Sequence, residues 1–385
     1  MRLQRFSLAR SDLSKLKVGA ARPATELVLY FGSRAGITSE KPFARLKTAF
    51  PDATIVGCST GGQIRGDELI DDDIEVVAMS FESTRIGLAS EVLASVEESL
   101  GCGRRIGERL KGADLAGILV LADGLNVNGG DLVAGITGVV GPEVPLIGGL
   151  AGDGSDFVET LVGADCAPRS RLVAAIGFYG DAVRFGHGSA GGWDVFGSWR
   201  TINRSRKNVL FQLDGEPALD LYERYLGDEA KGLPGTGLRF PLQVMDPKNP
   251  DRKIIRTILS IDRDQRSLAF AGDVPEGWQA RLMRGVFDRL VLGAKDAAHQ
   301  AKCGTVVEDS SGERLALLVS CIGRRVLMGQ RISEEIAASL AELGEDFAPF
   351  GFYSYGEISP QADSRTCELH NQTMTITTIV ETAAV

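Results

Sequence analysis

Three histidines, His187, His299 and His370, are all the imidazole chemistry this 385-residue chain has to offer. They lie far apart and form no HExxH or HxH pair, so a multi-histidine metal site is not expected. Cys58-Ser59 on a glycine turn offers a nucleophile, but a nucleophile needs a base within hydrogen-bond reach, and no histidine forms a signature with it. An enzyme acting through Cys58 or Ser59 is therefore the remotest reading, and no catalytic residue is assigned. His299 falls among Lys295, Asp296, Gln300 and Lys302, the setting of a solvated helix end. His187 stands between Gly186 and Gly188, shortly before Gly191, Gly192 and Trp193; such glycines let a backbone or a flat ligand approach, and Trp193 could stack on it. His370 enters the last strand. Either imidazole can simply be hydrogen-bonded in a turn. One alone can also serve as an axial haem ligand, because the porphyrin supplies the other four donors.

Glycine turns supply the second set of candidate residues. Gly57-Cys58-Ser59-Thr60-Gly61-Gly62-Gln63-Ile64 and Gly351-Phe352-Tyr353-Ser354-Tyr355-Gly356-Glu357-Ile358 share one pattern: glycine, two residues, a hydroxyl residue, one more, glycine, Gln or Glu, and, in both, isoleucine one position after it. Each follows an apolar strand (27–31; 315–319) and a helix (about 41–50; about 334–343), and each precedes another β-rich run (74–81; 374–380). That repetition reads as a duplicated strand–helix–loop unit whose turns place polar groups near a shared cleft. The densest glycine loop is Gly148-Gly149-Leu150-Ala151-Gly152-Asp153-Gly154. It lacks Lys and leads into a strand, whereas dinucleotide and P-loop sites need a helix there. It reads as a hairpin or crossover turn, or as a cleft-lining loop in which Asp153 offers a carboxylate.

The elements that must hold these turns alternate in the first half. Strands are expected at 26–31, 53–57, 74–81, 85–93, 117–122 and 144–148, and helices at 43–50, 96–110 and 129–139, the last capped near Asn126 or Asn128. From Phe157 to Phe211 the pattern turns β-rich (157–162, 172–179, 183–187, 198–202), as in an antiparallel sheet. A turn at Asp214-Gly215, Pro217 and a helical face of Leu219, Tyr222 and Leu226 stopped by Gly227 then mark a boundary. Strands near 242–245, 254–261 and 267–271 and a helix at about 284–303 follow. The expected fold is mixed α/β in two lobes, with mixed sheets flanked by helices and split near 214–237.

Composition narrows the partners. The chain has 42 basic and 51 acidic residues, a net charge of −9, which disfavours a nucleic-acid or anionic-membrane surface. Apolar runs such as 116–122 are too short to span a bilayer. The first fifteen residues, with Arg10, Asp12 and Lys15, hold no apolar signal segment. Six scattered cysteines without CxxC read as reduced thiols in a cytoplasm.

With the two glycine turns, the Gly148–Gly154 loop, Leu213-Asp214-Gly215-Glu216-Pro217-Ala218-Leu219-Asp220-Leu221-Tyr222 and Ser320-Cys321-Ile322-Gly323-Arg324-Arg325 in this order, the chain resembles the FIST family of sensory proteins. The resemblance covers about residues 25–380, as an amino-terminal region (25–214) and a carboxy-terminal one (215–380). Gln63 departs from it, since that turn commonly carries Glu. The resemblance implies ligand sensing and not catalysis. FIST regions are regarded as sensors of small ligands, with amino acids proposed, and Cys58, Ser59, Thr60, Gln63, Asp153, Tyr355 and Glu357 would face such a ligand. Stand-alone bacterial members of this length are similar to the NosP group, which senses nitric oxide through haem and controls a partner histidine kinase. That likeness implies haem b; the setting of the residues points to His187 as its iron ligand, with glycines leaving room for the macrocycle, Trp193 as a wall and Arg184 or Arg200 on the propionates, and with His370 as the alternative ligand.

Overall fold

The computed structural model describes residues 1–8, 25–305, 312–361 and 366–382; Arg10, Asp12 and Lys15 lie outside them. The chain builds one strand–helix–strand pattern three times. The first unit holds β1 (Arg2–Ser7), β2 (Leu27–Gly32), α1 (Arg34–Glu40), α2 (Pro42–Ala49), β3 (Thr54–Ser59), β4 (Gln63–Arg65), β5 (Glu68–Ile70) and β6 (Glu75–Ser80). The second holds β7 (Arg85–Val92), α3 (Ser99–Leu110), β8 (Leu115–Ala122), α4 (Gly129–Val140), β9 (Leu146–Leu150), β10 (Val162–Ala164) and β11 (Leu172–Tyr179). The third opens with β12 (Val183–Ala190) and is then interrupted by a long insertion.

The insertion contains β13 (Trp193–Val195), β14 (Arg200–Arg206), β15 (Val209–Leu213), β16 (Glu216–Pro217), α5 (Ala218–Leu226), β17 (Leu242–Asp246), β18 (Asn249–Arg256), β19 (Ile258–Asp262), β20 (Ser267–Phe270) and β21 (Gln279–Gly285). The third unit resumes with α6 (Phe287–Cys303), β22 (Arg314–Cys321), α7 (Ile322–Met328), α8 (Ile332–Leu343), β23 (Phe347–Ser354), β24 (Gly356–Pro360), β25 (Cys367–His370) and β26 (Met374–Glu381).

In every unit two strands run parallel around a helical crossover: β2 with β3, β8 with β9, β22 with β23. A return strand lies antiparallel beside the first of them (β6, β11, β26) and pairs in turn with the opening strand (β1, β7, β12). The strand after each second parallel strand leaves its own sheet. β10 joins the first unit's sheet beside β3, β24 joins the second beside β9, and β4 joins the third beside β23. The exchange is cyclic, so the three sheets close on one another.

Strand alternation explains the core between them. Leu27, Leu29 and Phe31 of β2 point inward to meet Leu119, Leu121 and Ile147 of the second sheet and Leu317, Phe350 and Phe352 of the third in one buried cluster. Phe31 lies 4.4 Å from Phe352 and 5.0 Å from Phe350, ring centre to ring centre. The alternate residues Val28, Tyr30 and Ile55 face outward under α1 and α2. Burial on both faces accounts for near-continuous apolar strands such as Leu315-Ala316-Leu317-Leu318-Val319.

The fold is the expected mixed α/β one, and its second lobe is the insertion. There nine strands form a sheet in the order β18-β17-β21-β14-β15-β20-β19, with β13 on β21 and β16 on β15. Its core, from Ile202 to Leu282, is separate from the other clusters. Asp214-Gly215 is a turn, with φ of +49° and +82°, and it lies within this sheet between β15 and β16, so strands on both sides of it share one lobe. Three local expectations need correction. Residues 157–161 form no strand; the chain becomes extended only at β10. Arg284 belongs to β21, and α6 starts at Phe287. The stretch 254–261 is two strands, β18 and β19, and not one. Among the described residues, no helix is long and apolar enough to cross a membrane.

Candidate functional site

The ends of β3, β9 and β23 meet where the three units exchange strands. Gly61 N–H donates to Tyr353 O (2.8 Å), Gly152 N–H to Ser59 O (2.9 Å) and Tyr355 N–H to Leu150 O (3.2 Å), so each loop is tied to the strand end of another unit. The repeated turns at 57–64 and 351–358 are thus equivalent, and the glycine loop at 148–154 is the third member of the set. It escaped the sequence pattern because nine residues lie between Gly152 and the exchanged strand's first residue, Val162, where the other two loops enter theirs almost at once.

Two cavities open at this ring. The first, of about 500 Å³, lies between it and the inserted lobe. Its floor is Gly124, Asn128 and Gly129 at the start of α4, Leu150, Cys321 to Gly323, and Tyr355. Its roof is Arg206 to Asn208 from the β14–β15 turn, Thr257, Leu259 and the 270–273 segment. Both signs of charge line it, Arg206 and Lys207 against Glu97 and Asp273, and the free N–H groups at the start of α4 add partial positive charge. Asn128 caps α4 by accepting from Asp131 N–H (3.0 Å) and donates to Asp273 Oδ1 of the roof (3.4 Å).

Two buried polar atoms of this lining, Thr257 Oγ1 and Asn371 Nδ2, have no hydrogen-bond partner among the described residues. Arg256 fixes the Asn371 amide: its guanidinium carries only donors and lies 3.5 Å from Asn371 Oδ1, so the oxygen faces Arg256 and Nδ2 points away. Arg256 also donates to Asp273 O (2.9 Å) and Leu369 O (3.2 Å), and burial lowers its pKa to about 10. Buried polar atoms are nearly always hydrogen-bonded, so two orphans on one cavity leave two polar positions that a bound water or ligand would meet. Neither residue was singled out from sequence. Asn371 neighbours His370 in a segment that drew attention for its imidazole.

The second cavity, about 590 Å³, is lined by Thr60, Gln63, Asp153, Arg325 and Asp71 among others. Asp153 accepts from the N–H groups of Phe157 (3.0 Å), Val158 (2.9 Å) and Glu159 (2.9 Å) and from the Tyr355 hydroxyl. Burial would raise its pKa, but these donors outweigh it and hold the carboxyl below its usual value. Phe157 stacks on Tyr355 at 4.7 Å. The Tyr355–Asp153 bond therefore joins the wall of one cavity to the wall of the other.

Of the ligand-facing residues expected from sequence, Tyr355 lines the first cavity and Thr60, Gln63 and Asp153 the second; Cys58, Ser59 and Glu357 lie beneath. The Cys58 thiol packs in the central core, where burial pushes its pKa far up. Ser59 Oγ accepts from Leu161 N–H at 2.9 Å. Gln63 satisfies its amide with the oxygen toward Ser33 N–H (3.1 Å) and the Thr60 hydroxyl (2.6 Å) and the nitrogen toward Asp73 O (3.2 Å). Glu357 accepts from the Ser354 hydroxyl (2.8 Å) and from Thr373 N–H (3.2 Å) and hydroxyl (2.8 Å), yet full burial raises its pKa to about 8.

The residues expected to hold haem do not come together. The glycines beside His187 make room for α6: a Cβ on Gly188 would overlap the Ala297 carbonyl, and one on Gly186 that of Ala301. His187 faces the other way, stacked on Phe185 at 6.1 Å, with Nδ1 buried and unpartnered and its pKa lowered by burial to about 4. Trp193 Nε1 donates to Gln372 O (2.7 Å). Arg200 sits in the inserted lobe on Asp214 (3.1 Å) and Tyr225 (2.7 Å), and Arg184 bonds only its own strand's Val183 O (3.1 Å) among the described contacts. His370 Nε2 lies 3.1 Å from Ser359 O, and burial lowers its pKa to about 4. Among the described residues no cluster of three or more His, Cys, Asp or Glu side chains could hold a metal ion.

The first cavity brings paired charges and two orphaned polar atoms together beneath an inserted lobe. The chain belongs to the FIST family: the FIST N domain matches residues 26–216 and the FIST C domain 218–360. FIST domains are sensor domains of signal transduction that bind small ligands. The chain is 23% identical over 328 residues to the uncharacterized protein MJ1623 of Methanocaldococcus jannaschii, across 76% of this chain and 59% of that protein, so it spans about three-fifths of that relative's length. Among solved structures, the crystal structure of cyanuric acid hydrolase from A. caulinodans aligns over 99% of both chains with a TM-score of 0.40 and 8% identity.

Proposed function

We propose that this protein is a non-catalytic, cytoplasmic sensor of an amino acid or similar small polar ligand, bound in the cavity between the ring of loops and the inserted lobe. The observation that carries this reading is the pair of unpartnered buried atoms, Thr257 Oγ1 on the lobe and Asn371 Nδ2 on the three-unit body. A ligand that bonds to both bridges the two lobes, and its charged ends find Arg206 and Lys207 on one side and Glu97 and Asp273 on the other. The test is calorimetric titration with each amino acid and with simple carboxylates and amines. Saturable binding that Thr257→Val weakens supports the site; millimolar silence across the panel sinks it.

A second reading, haem-dependent sensing of nitric oxide with control of a partner histidine kinase, has one observation in its favour, the unpartnered Nδ1 of His187. The surroundings fit the macrocycle poorly, because α6 fills the space at Gly186 and Gly188 and Trp193 is tied to Gln372. A Soret band in protein from haem-supplemented cells, lost in His187→Ala, would restore it.

A further inference from the structure

Outside the linings of both cavities, a thiol, an imidazole and a carboxylate line up on the third unit. Cys303 Sγ lies 3.6 Å from His299 Nε2, one turn back on α6, and His299 Nδ1 lies 2.7 Å from Glu342 Oε1 on α8. We propose that Cys303 is a reactive thiol that forms a mixed disulfide with small disulfide molecules, with His299 as its base and Glu342 as the group that orients the base.

The geometry assigns the roles. Glu342 accepts the Nδ1 proton, which leaves Nε2 of the neutral ring as a lone pair facing the sulfur. The hydrogen bond from His299 holds the Glu342 carboxyl below its usual pKa, so a carboxylate stands behind the imidazole. Nucleophile, base and orienting group in hydrogen-bond sequence is the arrangement that activates a weak nucleophile. Local charge also bears on it. The carboxyl end of α6 disfavours a thiolate, but Lys302 Nζ donates to Glu342 O (3.0 Å) and Lys295 Nζ lies 3.8 Å from Glu342 Oε2, bringing positive charge from the same helix.

In the step, the Cys303 proton passes to His299 Nε2 and the thiolate attacks one sulfur of the disulfide. The new S–S bond forms as the old one breaks, and the departing thiolate takes the proton from the imidazolium; the incoming disulfide is the oxidant. Access selects this thiol. Cys303 is exposed and Cys166 partly so, while Cys58, Cys102, Cys321 and Cys367 are buried.

The test treats the intact protein with glutathione disulfide and follows each cysteine by peptide mass mapping, with Cys166 as the internal reference. Cys303 should be modified about tenfold faster than Cys166, and His299→Ala should abolish that advantage while Cys166 keeps its rate. Glu342→Gln should slow Cys303 in the same selective way. Equal rates at Cys303 and Cys166, or an unchanged Cys303 rate in His299→Ala, would overturn the proposal. An unchanged Cys166 rate in both variants reports an intact fold.

Discussion

Gln63 and Glu357 hold the same place in two units of the fold. Each is at the start of an exchanged strand, Gln63 opposite Phe352 of the third sheet and Glu357 opposite Gly149 of the second. One position carries a carboxamide with every hydrogen bond filled, the other a buried carboxyl whose pKa is raised to about 8.

That difference predicts a pH dependence. Glu357 titrates near 4.5 when unfolded and near 8 when folded, so between these values the folded state binds more protons. Its contribution to stability is complete below about pH 4.5 and is lost as pH rises toward 8. Glu357→Gln, which copies Gln63, should flatten the fall across that window in urea denaturation curves. An unchanged slope would mean that the carboxyl is ionised in the fold.

His187 and His370 act in the opposite sense. Burial lowers both to about 4, so both stay neutral in the folded state at pH 5. The unfolded chain takes up their protons near 6.5, and their contribution is lost as pH falls from there toward 4. Their NMR ring signals should stay flat from pH 8 to 5; an inflection at either near 6.5 would contradict the packing.

Arg324 and Glu335 form a fully buried ion pair at 2.8 Å, with Ser320 (2.9 Å) and Tyr353 (3.1 Å) on the carboxylate and the guanidinium on Gly191 O (2.5 Å) and Leu290 O (2.8 Å). Arg324→Met strands the carboxylate and should cost about 3–5 kcal/mol. Replacing both partners by apolar residues should cost less, as thermal denaturation of single and double variants would show.

Gly188 is where α6 crosses β12. Gly188→Val would push the helix off the strand and cost roughly 3 kcal/mol or more, seen as a fall in melting temperature. His187→Ala, on the opposite face of the same strand, should cost clearly less.

Thr257→Val removes a hydroxyl that has no partner among the described residues. Unliganded stability should hold or rise, while ligand affinity falls about tenfold. Loss of stability without loss of affinity would place that hydroxyl outside the site.

The sequence alone determined most of the local elements and the duplication, because strand alternation, caps and glycine turns are written in neighbouring residues. Asn128 as the cap of α4, Gly227 as the stop of α5 and the equivalence of the Gly57 and Gly351 turns are legible for that reason. The third copy was hidden, since the residues between Asp153 and Leu161 break the spacing the other two share. Only the tertiary structure decided what the glycines around His187 are for: a gap for a ligand and a seat for a helix require the same residue, and α6 begins about a hundred residues away. Only it could pair Thr257 with Asn371, because the cavity forms where the inserted lobe folds over the three-unit body. An orphaned hydrogen-bonding atom is a property of that surrounding space and not of the residue that carries it.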